Sequence, residues 1–280
     1  MRTITSFGDL TLTDSASDRG NDSVVTPYGG IIQDVGDHYS LYASYAEIYS
    51  TSGDFERQDG RRLGPLHGVN QEVGIKGAWR EGSLNGLLAV YRIRQFGVPI
   101  EDPTGPLAGG GRLGCCFVPA AHRSEGVDLE LAGSLAQRWL FGGGYSYNRN
   151  HSAEGGELSS RTPRHLLKFW TGYQLPGAAN RWNIGGSAHV QSRVSQRGLV
   201  CSVYTLTGIC RDEILTYKMT LPSVYTVDLR AAYDVTQNWK LALTVSNLFD
   251  LNYYETVGSF STGNWYAPPS AYLLRVSGNF

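Results

Sequence analysis

The 280-residue chain lacks several features that would assign it to a familiar class of protein. No apolar run approaches the roughly 18 residues of a transmembrane helix, and residues 1–5 do not begin the apolar core of a secretory signal. With 24 Lys and Arg residues against 25 Asp and Glu, the chain has no cationic excess that would indicate nucleic-acid binding. Taken alone, these absences predict a cytoplasmic protein, unless further sequence precedes residue 1.

Motifs of common catalytic and cofactor sites are also missing. The six histidines show no metal-ligand spacing, and neither a nucleophile elbow nor a P-loop is present. Gly109, Gly110 and Gly111 lack the preceding strand and following helix of a phosphate-binding loop, so they indicate a flexible segment. The sequence therefore predicts no enzyme, no resident cofactor and no metal site.

The clearest pattern lies in the last fifth of the chain. Apolar and polar residues alternate over residues 225–235, 239–246 and 272–280, with a turn at 236–238. Because successive side chains of a β-strand point to opposite faces, each segment has one apolar and one charged face. We expect Leu241, Leu243 and Val245 on the apolar face. The opposite face would carry Lys240, Thr244 and Ser246.

Similar alternation predicts about eleven strands, most of them close to ten residues long. They lie near residues 24–34, 39–49, 70–80, 84–94, 124–133, 139–148, 164–174, 182–191, 224–235, 239–249 and 271–280. The usual globular strand has about five or six residues, whereas about ten residues tilted by about 45° cross a bilayer. The lengths therefore favour strands that span a membrane.

The connections between these strands favour the same architecture. Short turns near residues 36–37, 81–82, 135–137, 177–180 and 236–238 alternate with long loops near 50–69, 95–123, 149–163, 192–223 and 250–270. An outer-membrane barrel has short periplasmic turns and long outer loops, whereas both ends of a soluble sandwich face the same water. The sequence predicts an all-β, antiparallel transmembrane β-barrel.

The strand number qualifies this prediction. Bacterial single-chain barrels have an even number of strands, and an open sheet would leave two unpaired edges in hydrocarbon. About eleven strands would therefore be part of a larger barrel, unless residues 1–13 supply a twelfth strand.

Several segments resemble, in the same order, the barrel of TonB-dependent ferric-siderophore receptors. They are VTPYGG at 25–30, LYASYAEIY at 41–49, GIKG at 74–77, SEGVDLE at 124–130, TPRH at 162–165 and SNLFD at 246–250, the last followed by Asn252, Tyr253 and Tyr254. The C-terminal Phe280, preceded by apolar residues at intervals of two, resembles the assembly signal of outer-membrane proteins. Gly278 departs from that signal.

The resemblance implies a 22-stranded barrel around an N-terminal plug domain, preceded by a segment that contacts TonB. Residues 24–280 would be the C-terminal half of this barrel, without the plug, and residues 1–23 a loop or strand remnant. The implied function is uptake of a ferric siderophore across the outer membrane of a Gram-negative bacterium, driven by the inner-membrane TonB complex. The implied partners are this ligand, outer-membrane lipid, the plug and TonB.

The four cysteines fall in predicted outer loops. In an oxidising compartment, a Cys201–Cys210 disulfide would close a loop of about ten residues and contribute about 2–3 kcal/mol. Free thiols of a cytosolic protein are the alternative, and the absence of paired histidines disfavours zinc. The adjacent Cys115 and Cys116 have no assigned connectivity.

Two groups of residues are candidates for contacts with ligand or plug. The resemblance suggests that Trp265 and Tyr266, in the last outer loop, contact a planar iron chelate, although both also suit an aromatic girdle at the membrane interface. The residues predicted to face the lumen, with a structural role toward the plug and lumen water, are Lys168, Asp228, Arg230 and Lys240.

Two other functions are compatible with the strand pattern. A complete twelve-stranded barrel would be a passive pore or an adhesin, and the sequence upstream of residue 1 would distinguish it from a receptor fragment. A soluble β-rich carbohydrate-binding domain would partition into water without detergent.

Overall fold

The computed structural model describes residues 24–51, 55–102, 116–152, 162–203, 214–256, 258 and 263–279. Within these ranges it contains no helix long and apolar enough to cross a membrane. Apart from a 3₁₀ turn at Gly177–Ala179, the regular elements are fifteen strands. They are β1 (Tyr28–Val35), β2 (Tyr39–Ser50), β3 (Leu66–Trp79), β4 (Leu84–Glu101), β5 (Phe117–Ala136), β6 (Trp139–Ser152), β7 (His165–Gln174), β8 (Trp182–Gln191), β9 (Val194–Cys201), β10 (Ile214–Leu221), β11 (Val224–Asp234), β12 (Trp239–Ser246), β13 (Tyr254–Thr256), β14 (Trp265–Tyr266) and β15 (Ala271–Gly278).

Eleven of these strands form one antiparallel sheet, in the order β1-β2-β3-β4-β5-β6-β7-β8-β11-β12-β15. Apart from the hairpin β9–β10 and the short pair β13–β14, each strand pairs with the next one along the chain. Each of the eleven coincides with a predicted strand, so the predicted all-β antiparallel fold is confirmed. The short connections lie at one end of the sheet and the long ones at the other, termed here the short-turn end and the long-loop end.

All five predicted long loops contain some strand, since β3 begins at Leu66 and β6 continues to Ser152, and the other three contain much more strand than the sequence pattern indicated. β4 continues to Glu101 and β5 begins at Phe117, so much of the predicted loop 95–123 is an extended hairpin. The pair β9–β10 occupies part of 192–223, and β13–β14 part of 250–270. These parts of the loop prediction were wrong. The strands were predicted from alternating apolar residues, whereas backbone pairing continues beyond the part of the sheet that has an apolar face. The proposed twelfth strand within 1–13 lies outside the described residues.

Cross-strand register gathers the apolar side chains on one face of the sheet. One row of directly paired residues runs across eight strands through Leu41, Ile75, Leu88, Leu129, Tyr145, Leu167, Val190 and Tyr225. Farther along, Leu241 and Leu243 lie opposite Val276 and Leu274. The grouping predicted for β12 therefore extends over the whole sheet. This face is termed the apolar face, and the opposite one the polar face.

Aromatic pairs border the apolar face at the short-turn end. Trp79 packs against Tyr39, Trp139 against Tyr173, and Trp182 against Tyr233, with ring centroids 5.8, 6.1 and 4.8 Å apart. Trp and Tyr are enriched where a barrel meets the membrane–water interface, since each ring combines an apolar body with a polar group. The border has the form of an interfacial girdle.

Glycines and aromatic rings fit together along the strands, which accounts for part of the 35 glycines and 17 tyrosines. A Cβ at Gly74 would overlap the Tyr42 ring, and one at Gly142 would overlap Trp170. Gly278 lies directly opposite Trp239, and a Cβ there would stand 3.0 Å from the indole ring. The departure of Gly278 from the assembly signal thus has a packing reason.

Within the described residues the sheet is open. β1 pairs with β2 alone, and β15 pairs with β12 alone. Each of these edge strands has eight residues and presents one row of backbone groups without a sheet neighbour.

Candidate functional site

The predicted ligand contacts Trp265 and Tyr266 form strand β14, where they are 69% and 67% exposed. β14 pairs with β13, which places Tyr254 opposite Tyr266. These two tyrosine rings stack with centroids 4.2 Å apart and planes 23° apart. Tyr254, Trp265 and Tyr266 are termed the aromatic platform. Exposed rings of this kind can receive the planar part of a ligand.

Two tyrosine hydroxyls at the platform, those of Tyr253 and Tyr254, have a raised pKa. A hydrogen bond with the Tyr266 side chain raises the pKa of Tyr254. Burial, together with the charge of Glu255, raises the pKa of Tyr253. Because an unperturbed tyrosine has a pKa of about 10, both hydroxyls are protonated at neutral pH, and that of Tyr254 is engaged by the Tyr266 side chain.

The connection between β12 and β15 carries the aromatic platform and is termed the platform loop. Asn247 attaches this loop to the end of the sheet. It is 7% exposed and adopts a left-handed backbone with φ of 49°, a conformation that Asn tolerates better than most residues. Its backbone N–H donates to the Asp228 carboxylate over 2.9 Å. Its side-chain amide donates to the carbonyls of Leu251 (3.0 Å) and Pro268 (3.2 Å), and its amide oxygen accepts from the Leu251 N–H (3.0 Å).

Asp250 closes the same loop from the other side. It too is left-handed, with φ of 51°, and its carboxylate accepts a hydrogen bond from the Ser270 N–H over 2.8 Å. Both ends of the loop are therefore fixed before β15 begins. The SNLFD segment, which the sequence marked only by its resemblance, therefore holds the platform loop through Asn247 and Asp250. These two residues are termed the clamp.

A second feature of the long-loop end is a polar pocket between β6, β7 and the hairpin β9–β10. Three cations, Arg164, Arg193 and Lys218, line it, and no Asp or Glu is among the described residues of its wall. It is termed the cationic pocket. The other lining residues are Asn148, Asn150, Thr162, His165, Ser192, Val194, Ser195 and Thr220.

Hydrogen bonds fix the base of the cationic pocket. His165 and Ser192 are joined twice, by the His165 N–H to Ser192 Oγ (3.0 Å) and by the Ser192 N–H to the His165 carbonyl (2.9 Å). The Asn148 amide donates to the hydroxyls of Tyr91 (2.6 Å) and Ser124 (2.8 Å). Since these partners come from four strands, the pocket position depends on the sheet rather than on a loop.

The residues predicted to face the lumen all lie on the polar face. Asp228 accepts from Ser187 Oγ over 3.0 Å as well as from Asn247. Lys240 Nζ lies 3.2 Å from the Asp234 carboxylate, and Arg230 is directly opposite Thr244. Lys168 is directly opposite His189.

The cysteine prediction falls largely outside the described structure. Cys210 lies outside the described residues, as does Cys115, and the side chain of Cys201 is not among those described. Cys116, which is 8% exposed, is disulfide-bonded. The Cys201–Cys210 disulfide stays a prediction. Within the described ranges, no group of three or more His, Cys, Asp or Glu residues could hold a metal ion.

Sequence reasoning singled out Trp265 and Tyr266, whose role as ligand contacts stays a prediction, and it missed the cationic pocket. Arg164 belongs to a segment noted for its resemblance, but Arg193 and Lys218 carried no motif. The available signal was that Arg164 begins a predicted strand and that Arg193 and Lys218 lie in the predicted long loop 192–223.

Comparison with known proteins identifies the family. The model of the family described as "TonB dependent receptor-like, beta-barrel" matches residues 3–248. The ferric-pyoverdine M114 receptor PbuA of Pseudomonas sp. strain M114 is 30% identical over 264 residues, covering 91% of this chain and 30% of that receptor. The ferripyoverdine receptor of Pseudomonas aeruginosa is 28% identical over 249 residues, covering 86% of this chain and 29% of that receptor.

The similarity extends to three-dimensional structure. A crystal structure of the ferripyoverdine receptor of the Pseudomonas aeruginosa outer membrane, bound to ferripyoverdine, matches with a TM-score of 0.77 and 27% identity. The match covers 91% of this chain and 33% of that one, so the chain spans about a third of the length of these relatives. The chain belongs to the TonB-dependent receptor family and is part of its outer-membrane β-barrel.

Proposed function

We propose that the chain is the C-terminal part of an outer-membrane receptor that binds a ferric siderophore outside the cell and imports it by a TonB-dependent mechanism. The family supports transport, and the names of the similar receptors specify ferric pyoverdines. The observation that carries the proposal in this chain is the cationic pocket at the long-loop end.

The chemistry of iron explains why a cationic pocket suits this role. Ferric iron is a hard cation that is held by oxygen donors, and siderophores supply these donors largely as anions. Arg164, Arg193 and Lys218 offer charge-assisted hydrogen bonds to the oxygen atoms of such a chelate. An acidic residue in the wall would oppose binding, and the described wall has none.

The aromatic platform would provide a second contact of different chemistry. Its rings can stack on a conjugated group of the ligand while the tyrosine hydroxyls donate to oxygen atoms. Because Asn247 and Asp250 hold the platform loop, little conformational entropy would be lost when the ligand binds.

Transport requires parts that the homology implies for the complete receptor. The polar face would enclose a plug domain, and a segment ahead of the plug would contact the TonB complex, since the outer membrane has no ATP. A receptor that contains this chain together with a plug domain and a TonB-contacting segment is termed the complete receptor.

The test is uptake of radioactive iron by a receptor-deficient strain that expresses the complete receptor. We expect uptake of a ferric pyoverdine under iron limitation, and its loss when the TonB complex is inactivated. The triple variant Arg164→Gln, Arg193→Gln, Lys218→Gln should weaken ligand binding by about tenfold or more, since each substitution removes a bond to a charged group.

The matched control is Arg138→Gln at the short-turn end. Arg138 donates to the Leu175 carbonyl over 3.2 Å and lies on the opposite side of the membrane from the pocket. Its substitution should leave ligand affinity unchanged. Passive, TonB-independent passage of small solutes, with no ferric-siderophore binding, would contradict the proposal and indicate a pore.

A further inference from the structure

A depression lies on the polar face near the short-turn end, and two glycines form its floor. Gly172 of β7 lies directly opposite Gly185 of β8, so no side chain covers the backbone there. The same row continues to Leu140 of β6 on one side and to Arg230 of β11 on the other. The depression has a volume of about 530 Å³, which suits a small molecule. It is termed the lumen depression.

An indole ring and two carboxamides form the walls above and below this floor. Trp170 stands on the side toward the long-loop end, where its ring lies against Gly142 and the residue is 50% exposed. Gln174 and Asn183, directly opposite each other, stand on the side toward the short turns. The Gln174 amide donates to the Asn180 carbonyl over 2.9 Å, which fixes its orientation. The lumen depression therefore offers an exposed aromatic face within a polar surface.

The charged groups of the wall favour an anion. Two arginines, Arg138 and Arg230, line the depression together with one described carboxylate, that of Asp228. Asp228 already accepts hydrogen bonds from Ser187 and Asn247, and Arg138 donates to a backbone carbonyl. Within the described residues, Arg230 makes no side-chain hydrogen bond or ion pair. Its guanidinium group is thus available to anionic oxygen atoms of a ligand.

The same two kinds of group occur at the opposite end of the sheet. There the cationic pocket supplies arginines, and the aromatic platform supplies rings. Eight residues separate Arg164 of the cationic pocket from Gly172, which is about 26 Å at about 3.3 Å per residue. A ligand that suits the outer groups would therefore meet matching groups again near the inner end of the lumen.

We propose that the lumen depression is a second binding site on the import path, and that it takes a flat, conjugated group with anionic oxygen atoms. The conjugated ring would stack on Trp170, its oxygen atoms would face Arg230, and the glycine floor would allow a close approach to the wall. The ligand would arrive after the plug has rearranged and would be held there before its release into the periplasm. This inference rests on the proposed import function and concerns a later step of it.

Photo-crosslinking in cells identifies the molecule that occupies the depression. The complete receptor with Trp170→p-benzoylphenylalanine keeps an aromatic ring at this position and is illuminated during uptake of a ferric pyoverdine. We expect mass spectrometry to find a pyoverdine adduct on the peptide that contains position 170. The adduct should disappear when the TonB complex is inactivated, although binding at the cell surface is retained. An adduct with the plug alone during active uptake would overturn the proposal and assign the depression to the plug.

Filling the depression provides an independent test. Gly172→Leu places a side chain in open space, since a Cβ at Gly172 would have no contacting atom within 4 Å. The matched control is Gly144→Leu on the same face of β6, outside the depression, where a Cβ would meet nothing closer than 3.7 Å. We expect Gly172→Leu to lower the maximal rate of uptake by about two- to tenfold, as for the loss of one aromatic contact. Affinity at the cell surface should not change, and Gly144→Leu should change neither quantity.

A pair of substitutions at the indole completes the test. Trp170→Ala should lower the maximal rate to a similar extent, whereas Trp170→Phe should keep most of it, because a phenyl ring still offers a face for stacking. This pair decides the outcome if Gly172→Leu fails to form a heat-modifiable barrel. Equal maximal rates for Trp170→Ala, Trp170→Phe and the unsubstituted receptor would overturn this inference alone. Absence of TonB-dependent uptake by the unsubstituted receptor would refute the transport proposal as well.

Discussion

Leu243→Arg would place a cation at the middle of the apolar face, where the barrel meets the centre of the bilayer. Leu243 is the fifth of the eight residues of β12, and it lies directly between Ala231 of β11 and Leu274 of β15. Leu243 is 43% exposed, so much of its side chain is left uncovered by the described residues and is open to lipid. A lipid-facing Arg near the midplane costs about 2–4 kcal/mol.

Thr244→Arg, one residue farther along, provides the matched comparison. Position 244 belongs to the polar face and lies between Arg230 and Leu273. A new cation there would remain hydrated in the lumen, and the repulsion of Arg230, directly opposite, would cost up to about 1 kcal/mol. We therefore expect the two substitutions to differ by about 1–4 kcal/mol, although they introduce the same side chain at adjacent positions.

The assay is urea unfolding of the complete receptor in phospholipid vesicles. The folded fraction at each urea concentration is measured from the intensity of the heat-modifiable band on gels. Leu243→Arg should lower the unfolding midpoint well below that of Thr244→Arg. Equal midpoints, or a lower midpoint for Thr244→Arg, would refute the assignment of the apolar face to lipid.

Three further outcomes follow from the loops. Protein recovered from the envelope should contain a Cys201–Cys210 disulfide, and non-reducing peptide mapping that finds both thiols free would exclude it. Alanine at Trp265 or Tyr266 should weaken siderophore binding by up to about tenfold, because stacking area is lost; unchanged titration curves would assign these rings to the membrane interface instead. Asn247→Ala removes three side-chain hydrogen bonds, each worth about 0.5–1.5 kcal/mol, and should make the platform loop protease-sensitive. Protease resistance equal to that of the unsubstituted receptor would show that the clamp is dispensable.

The membrane part of the fold was predictable because lipid imposes a strict pattern on it. A strand between lipid and a wet lumen must alternate apolar and polar residues, and all eleven strands of the main sheet were found from that alternation. The pattern ended on β4 at about Arg94, yet pairing continues to Glu101. Beyond the hydrocarbon both faces meet water, so the strand persists without an apolar face.

The candidate site was less predictable, because its residues come from distant parts of the chain. Arg164 precedes β7, Arg193 lies between β8 and β9, and Lys218 lies within β10. Only the register of β6, β7 and β8 with the added hairpin brings them together. Asn247 was noted as part of a resemblance, but its clamp involves Asp228 and Pro268, both about twenty residues away. The aromatic residues Trp265 and Tyr266 gave a local signal in a predicted outer loop, and the structure shows them exposed there, while their contact with a ligand stays a prediction.

The central claim, that these strands form part of a larger barrel, is tested most directly by expressing the 280-residue chain alone beside the complete receptor. The edges of β1 and β15 have no sheet neighbour within the described residues, and each unsatisfied backbone group in hydrocarbon costs several kcal/mol. We expect the complete receptor to form a heat-modifiable, protease-resistant barrel and the 280-residue chain to form none. A stable, heat-modifiable monomer assembled from the 280 residues alone would contradict the claim and support a small closed pore.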